Sequence, residues 1–385
     1  MVRASDVVNR LGSKVEGRFT SKLHETRIAA MLGIALGVSF TVCFVTGLLS
    51  HLVQHPPSWF EWPSRPAGLY RITQGLHVVT GFTAIPLLLA KLWVVAPRLW
   101  TWPPARTVAH AVERISIVPL VAGSLFMLFS GVANVARWYP YDFFFPSAHF
   151  AVAWVTIGGL VAHIAAKITL TRDALRHRPA PDLATATSID RRRFLGGVAA
   201  TSGLVALATS GGTVGPLSRV SVLAQRVPSE GPQGMPVNKS AAAAQVTDLA
   251  TRASYRLVVD GNVGTPMSLT LADLRALPQT EANLPITCVE GWSRGANWRG
   301  VAVRDLVAMA GGREGAEVTV ESIERGSRYR TSTLTHDQSQ DRDALLALEI
   351  NGEPLHIDHG FPLRLIAPNR PGVMQTKWVT TVTVR

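Results

Sequence analysis

The chain has only two cysteines in 385 residues, Cys43 and Cys288. This excludes a disulfide framework. Cys43 falls inside a long apolar run, so it cannot readily reach Cys288 in the mixed region far downstream, and Cys288 is left without an intramolecular partner. Charge is scarce as well: Asp, Glu, Lys and Arg make up 17% of the chain and hydrophobic residues 47%. That balance points to a membrane protein rather than an ordinary soluble one. Acidic residues are the rarer sign, 26 against 38 Lys and Arg, for a formal net charge of +12.

Four apolar stretches stand out, at residues 28–52, 70–96, 115–136 and 147–170. Each is long enough for a helix of about 20 residues to cross a hydrocarbon core of about 30 Å. Pro86 and Pro119 interrupt them, which is tolerable in a bundle where neighbouring helices satisfy the freed backbone groups. Trp59, Trp62, Tyr70, Trp93, Trp100, Trp102, Trp138, Tyr139 and Tyr141 fall near the ends, where amphipathic rings prefer to sit.

The basic residues then set the expected orientation. Arg3, Arg10, Lys14, Arg18, Lys22 and Arg27 precede the first stretch, Arg98, Arg106 and Arg114 separate the second from the third, and Lys167, Arg172, Arg176 and Arg178 follow the fourth. The opposite loops hold only Arg65, Arg71 and Arg137. This predicts a multi-pass protein of the cell membrane with residues 1–27 in the cytoplasm and a transmembrane domain at 28–178. The positive charge is then topological, and nucleic acid is not an expected partner.

Residues 188–212 read "SIDRRRFLGGVAATSGLVALATSGG". Arg191 and Arg192, followed by Phe194, Leu195 and a Gly/Ala-rich run, resemble an internal twin-arginine export signal. A fifth membrane helix with a basic flank is the alternative reading. Both put the rest of the chain outside the cytoplasm. Residues 213–250 are rich in Pro, Gly, Ser and Ala without sustained periodicity, and predict a flexible linker. From 251 to 385 the texture becomes short alternating runs such as "YRLVVDG" and "WVTTVTVR", with brief helical patterns near 271–276 and 303–310. That predicts a small, mostly β domain with one core.

An exported, unpaired thiol is exposed to oxidation, so Cys288 needs an explanation; burial as a small apolar residue is one. Its context offers another. "CVEGW" with Trp298, followed by "DALLALEINGEPLHIDHGFPLRLIAPNRPGVMQTKW", resembles the molybdopterin domain of the sulfite oxidase family over about a third of the chain. The resemblance implies an α+β fold in which Cys288 supplies its thiolate to molybdenum, beside the dithiolene sulfurs of the pterin. It also implies that His359, Arg364 and Lys377 contact the pterin and its phosphate, and that Tyr329 stands near the family's active-site tyrosine. These residue types suit the task, since a thiolate is a soft ligand, Arg grips phosphate bidentately and Lys is a point charge. Upstream of Cys288 the sequence departs from the family. Sulfite oxidases carry a basic stretch there, whereas this chain has "LPQTEANLPIT", which argues against sulfite as substrate. Arg294 and Arg299, just after the cysteine, are available to an anion.

Histidines inside membrane spans are functional candidates because burying polar groups there is costly. His149 and His163 lie 14 residues apart on the fourth stretch, about 21 Å of helical rise and within about 40° of one face. The expected depths pair His77 with His149 near the outer side and His24 with His163 near the inner, with His51 a rival outer ligand. His55 and His110 read as loop or interface residues. The arrangement resembles four-helix bacterial b-type cytochromes such as the formate dehydrogenase membrane subunit, which implies two haem b groups, each held by two histidines.

Together these expectations describe a multi-domain protein: an all-α transmembrane four-helix haem bundle, a fifth membrane or twin-arginine-like helix, and a mostly β molybdopterin domain. The function implied is a molybdenum-dependent oxidoreductase that exchanges electrons between a small molecule or oxidised protein outside the cytoplasm and the membrane quinone pool. Two alternatives are an electron-transfer cytochrome with an inactive outer domain, and a membrane-anchored binding module with neither cofactor.

Overall fold

The computed structural model describes residues 21–99, 108–176, 184–224 and 226–385. Arg3, Arg10, Lys14, Arg18, Trp100, Trp102, Arg106 and Arg178 lie outside the described residues, as does most of the 1–27 segment. The chain divides into two compact units, Met1–Thr46 with Leu76–Thr209, and Gly47–Gly75 with Ser210–Arg385.

The first unit is helical. Its elements are α1 (Thr26–Gln54), α2 (Leu69–Leu99), α3 (Val108–Val135), α4 (Phe145–Arg176) and α5 (Ala184–Ser210), the first two running on into the second unit. Among the described residues, four helical segments are long and apolar enough to cross a membrane: Thr26–Gln54, Leu69–Leu99, Ile117–Val135 and Phe145–Arg176. They coincide with the four apolar stretches of the sequence, and Pro86, Pro97 and Pro119 lie inside continuous helix. Ile28, Ala29 and Leu32 of α1 bury against Val94 of α2, and Leu36 packs with Ala84 and Leu88. The guanidinium of Arg27 donates to the carbonyl of Leu175 at 3.0 Å, placing a cation at the C-terminal end of α4, where the helix dipole favours it. α5 is helical throughout but is not one of the four candidate spans. Its Phe194 and Leu195 pack, partly buried, against the α1–α2 cluster.

The β part of the second unit holds two five-stranded sheets. One has the order β2 (Met267–Leu269), β1 (Leu257–Gly261), β10 (Val379–Val384), β5 (Val318–Ser322), β6 (Thr331–Leu334). β1 and β10 pair in parallel, and the remaining neighbours are antiparallel. Val259, Val382 and Val320 stand in register across three strands and are fully buried, so the alternating pattern of the sequence faces one core.

The second sheet runs β3 (Thr280–Thr287), β4 (Ser293–Ala302), β7 (Leu345–Ile350), β8 (Glu353–Pro354), with β9 (Arg364–Ile366) also on β7. Its strands feed two apolar clusters: Leu346 and Leu348 join Leu257, Val318 and Leu306 in one, and Leu345, Ala347 and Ile350 join Met235 and Leu355 in the other. That is why "LLALEI" shows no alternation: Leu345 through Leu348 are all buried. Short helices α6 (Thr247–Ala250), α7 (Leu271–Ala276), α8 (Val303–Met309) and α9 (His336–Gln340) connect the strands. α7 carries a complete capping box between Thr270 and Asp273.

The stretch expected to be a flexible linker corrects that expectation. Residues 226–250 form consecutive tight turns on the surface of the β domain, with Met235, Ala241, Val246 and Ala250 each only 1% exposed. Ala241, Ala244, Val246 and Ala250 pack with Trp378 in one apolar cluster. Turn-rich sequence shows no period, yet a few small apolar side chains suffice to hold it once a partner surface exists.

Candidate functional site

Cys288 follows the last residue of β3 and opens a tight turn to β4. Its N–H donates to the carbonyl of Trp292 at 2.9 Å, and the N–H of Gly291 donates back to the Cys288 carbonyl at 3.0 Å. The thiol is free and 3% exposed. Its Sγ accepts from the side-chain amide of Asn238 at 2.7 Å and from the N–H of Glu290 at 3.5 Å. Burial, then the Glu290 carboxylate, pushes the thiol up to about 12, so a thiolate here needs a positive partner beyond these donors. A coordinated metal supplies that charge.

A second group of polar side chains gathers around Gly360. This glycine takes a positive φ of 112° at the end of the turn Ile357–His359, and a Cβ there would press on Arg364 and Lys377. His359 is 1% exposed, and its Nε2–H donates to the Pro232 carbonyl at 2.7 Å. Burial, then the Arg364 charge, lowers His359 to about 4 despite that bond. Arg364, at the start of β9, donates to the His359 carbonyl at 3.0 Å and lies 5.6 Å from the centre of the Trp298 ring. Its Nε is buried with no hydrogen-bond partner, and no carboxylate among the described residues pairs with it. Burial lowers the guanidinium to about 9. Lys377 donates to the carbonyls of Asp358, at 2.9 Å, and Lys239; burial, then Arg364, lowers it to about 7.

A buried guanidinium without a carboxylate partner, as at Arg364, is expensive, and an anion relieves it. The Arg364, Lys377 and His359 cluster, with its orphaned Nε, therefore fits the phosphate and ring acceptors of a pterin cofactor, while the buried thiol of Cys288 fits a soft metal ligand. The misread linker joins the two groups. Pro232 accepts from His359, Asn238 donates to Cys288, and Lys239 accepts from Lys377 while its own ammonium pairs with Glu324. Sequence reading missed Asn238, since "PVNKS" carries no signal beyond turn propensity.

The other candidates separate. Arg299 pairs with Glu349 at 2.9 Å, and Arg294 is exposed on β4. Tyr329 is half-buried in the turn after β5. Arg370, also missed, is buried and donates to Thr333, Gln338 and Met374, a structural tie between β6, α9 and the following loop, with its Nε left buried and without a partner.

In the helical unit, His77 of α2 and His149 of α4 meet edge-on, with ring centres 6.3 Å apart and ring planes at 71°. Two imidazoles sharing one metal, with bonds of about 2 Å and a ring radius of about 1.2 Å, would have ring centres up to about 6.4 Å apart. The Nδ1–H of His77 donates to the Cys43 carbonyl at 2.9 Å. His149 Nδ1 meets the Ser130 hydroxyl at 3.0 Å, and that hydroxyl in turn donates to Met127. Both rings are thus oriented through Nδ1, which leaves Nε2 as the unprotonated nitrogen. The rival His51 stacks instead on His55 at 4.8 Å. His24 bonds the Val94 carbonyl at 3.1 Å and stacks on Trp93, and His163 is half-buried on α4. The side chain of His110 lies outside the described residues.

Residues 243–385 match the family model described as the oxidoreductase molybdopterin binding domain. Among curated relatives, the oxidoreductase YuiH of Bacillus subtilis is 39% identical over 32% of this chain and 62% of its own length. Mouse mitochondrial sulfite oxidase is 34% identical over 34% of this chain and 29% of its own. YedZ1 of Azospira oryzae, a candidate protein-methionine-sulfoxide reductase subunit, is 32% identical over 34% of this chain and 49% of its own. The chain thus spans less than two thirds of each of these relatives. The crystal structure of the sulfane dehydrogenase SoxCD from Paracoccus pantotrophus is 28% identical over 34% of this chain and 38% of that one, with a TM-score of 0.32. The match assigns residues 243–385 to a molybdopterin-binding oxidoreductase domain, preceded in this chain by four candidate membrane helices.

Proposed function

We propose that this chain is a membrane-bound molybdenum-dependent oxidoreductase. Its outer domain would exchange an oxygen atom and two electrons with a small extracytoplasmic substrate, and its helical unit would pass those electrons to or from the quinone pool through two haem b groups. The observation that carries the enzymatic half is a buried, donor-held Cys288 in the same domain as a cationic cluster in which Arg364 has no carboxylate partner among the described residues. The adjacent imidazoles of His77 and His149 support the electron-transfer half.

Molybdopterin, when bound, supplies a centre that takes two electrons with an oxygen atom. The protein's share is positioning and charge. Arg364 and Lys377 neutralise the cofactor's phosphate, and His359, neutral at physiological pH and donating to Pro232, offers Nδ1 as an acceptor to the pterin. Asn238 and the Glu290 N–H hold the Cys288 sulfur in one orientation. In the membrane His77 and His149 would ligate one haem, His24 and His163 the other. Ligation by two imidazoles would suit the group to electron transfer.

The relatives suggest sulfoxides and sulfite as substrate classes, and the acidic, Arg-free stretch before Cys288 favours an uncharged oxide over sulfite. The twin-arginine reading of residues 188–212 accounts for export of a domain already loaded with cofactor. Metal analysis of detergent-purified protein, with a reduced-minus-oxidised spectrum on the same sample, tests the whole. About one molybdenum and two haems per chain are expected. Haem without molybdenum, from a host able to make the cofactor, would overturn the enzymatic half; full turnover by a Cys288→Ser protein would overturn the role of that thiol.

A further inference from the structure

The turn that carries Cys288 is held from outside the region matched by the family model. Its internal bonds use the N–H groups of Cys288 and Gly291 and leave the carbonyls of Val289 and Gly291 pointing outward. Both are met. The side-chain amide of Gln74, on the second turn of α2, donates to the Val289 carbonyl at 2.7 Å. The hydroxyl of Thr213, just beyond α5, donates to the Gly291 carbonyl. Next door the N–H of Ser293 donates to the Gly212 carbonyl at 2.8 Å, so the 212–213 segment runs along the turn for two residues.

These donors are themselves fixed. Gln74 is 4% exposed, and one helical turn before it the Tyr70 N–H donates to the buried side chain of Asn369 at 2.7 Å. Arg71 Nε donates to the Thr213 carbonyl at 3.2 Å. Gly75 completes the fit, because a Cβ there would lie 2.7 Å from the Thr213 methyl. The start of α2 and the residues after α5 therefore form a single clamp on the cysteine turn.

We propose that Gln74 and Thr213 are positioning residues for Cys288, fixing where its sulfur sits and hence the geometry and potential of the metal it binds. The proposal rests on the molybdenum reading for its last clause only; the clamp acts on the thiol whether or not metal is bound. Because both residues lie outside 243–385, the outer site is completed by segments adjoining the membrane helices rather than by the molybdopterin domain alone.

The test uses the full chain in detergent, as wild type, Gln74→Met, Thr213→Val and the conservative Thr213→Ser. In cofactor-free protein the rate of Cys288 alkylation by iodoacetamide is read by peptide mass spectrometry. Each of the first two substitutions removes one donor and is expected to raise that rate about fivefold, the equivalent of one hydrogen bond, while Thr213→Ser stays near wild type. In molybdenum-loaded protein Gln74→Met is expected to shift the electron paramagnetic resonance signal and midpoint potential of the centre. Wild-type alkylation rates in both loss variants would overturn the clamp. So would rapid hydrogen exchange at residues 288–293 of the wild type, a measurement that needs no variant to fold. A chain that takes up no molybdenum would sink the proposed function, yet the alkylation result would still decide the clamp.

Discussion

Asn238 and Cys288, 50 residues apart, meet at 2.7 Å, the side-chain amide of one donating to the sulfur of the other. The thiol is thereby oriented by a segment that looks like a linker in the sequence. Removing this donor, as in Asn238→Leu, leaves the sulfur with only the long Glu290 N–H contact. Molybdenum retention after dialysis against chelator is expected to fall about tenfold, the usual cost of losing a group that orients a metal ligand. Inductively coupled plasma mass spectrometry per mole of protein checks it, and retention equal to wild type would show that Asn238 is dispensable.

The adjacent histidines make a sharper division. His77→Ala and His149→Ala are each expected to remove the same haem, halving the iron and the reduced haem band while leaving molybdenum unchanged. His163→Ala and His24→Ala should remove the other. His51→Ala, whose ring stacks on His55, should leave both. A double variant His77→Ala/His149→Ala that loses no more iron than either single variant would confirm that the two share one metal.

Acid should loosen the pterin-side cluster. His359 titrates near 4 in the folded chain against 6.5 for the free side chain, so between those values the unfolded chain binds the extra proton. Stability is then greatest above pH 6.5 and falls as pH drops towards 4, with the sign set by the lowered value. Hydrogen exchange at residues 357–364 of cofactor-free protein is expected to accelerate over this window. His359→Gln, which keeps a donor for Pro232 and cannot titrate, should flatten the dependence.

Asn369 and Arg65 fix the same α1–α2 loop with different force. Asn369 is 2% exposed and exchanges bonds with Pro63, Tyr70 and Trp62 at 2.7, 2.7 and 2.9 Å. Asn369→Ala leaves the buried Tyr70 N–H unmet, at about 1–3 kcal/mol, and also removes the donor to the Pro63 carbonyl. Arg65 pairs with Asp341 and Asp343 but is half exposed, so Arg65→Ala should cost under about 1 kcal/mol. Limited proteolysis within residues 56–69 is expected to speed up strongly in the first variant and barely in the second.

Much of this was legible in the residues themselves. Hydropathy runs longer than a bilayer is thick allow few alternatives, so the four membrane-length helices followed from composition and length. Alternating valines and the brief patterns at 271–276 and 303–310 foretold β1, β10, α7 and α8, because side-chain period is a local property. Cys288, His359, Arg364 and Lys377 stood out because the stretches that carry them resemble the molybdopterin domain of the sulfite oxidase family. What only the tertiary structure decided was which groups meet. Asn238, Gln74 and Thr213 are ordinary turn or helix residues until folding sets their single donors against Cys288 Sγ and the carbonyls of its turn. Hydrogen bonds between residues 50 to 215 positions apart leave no trace in local periodicity, and so the residues that support the Cys288 turn could not be read from the sequence.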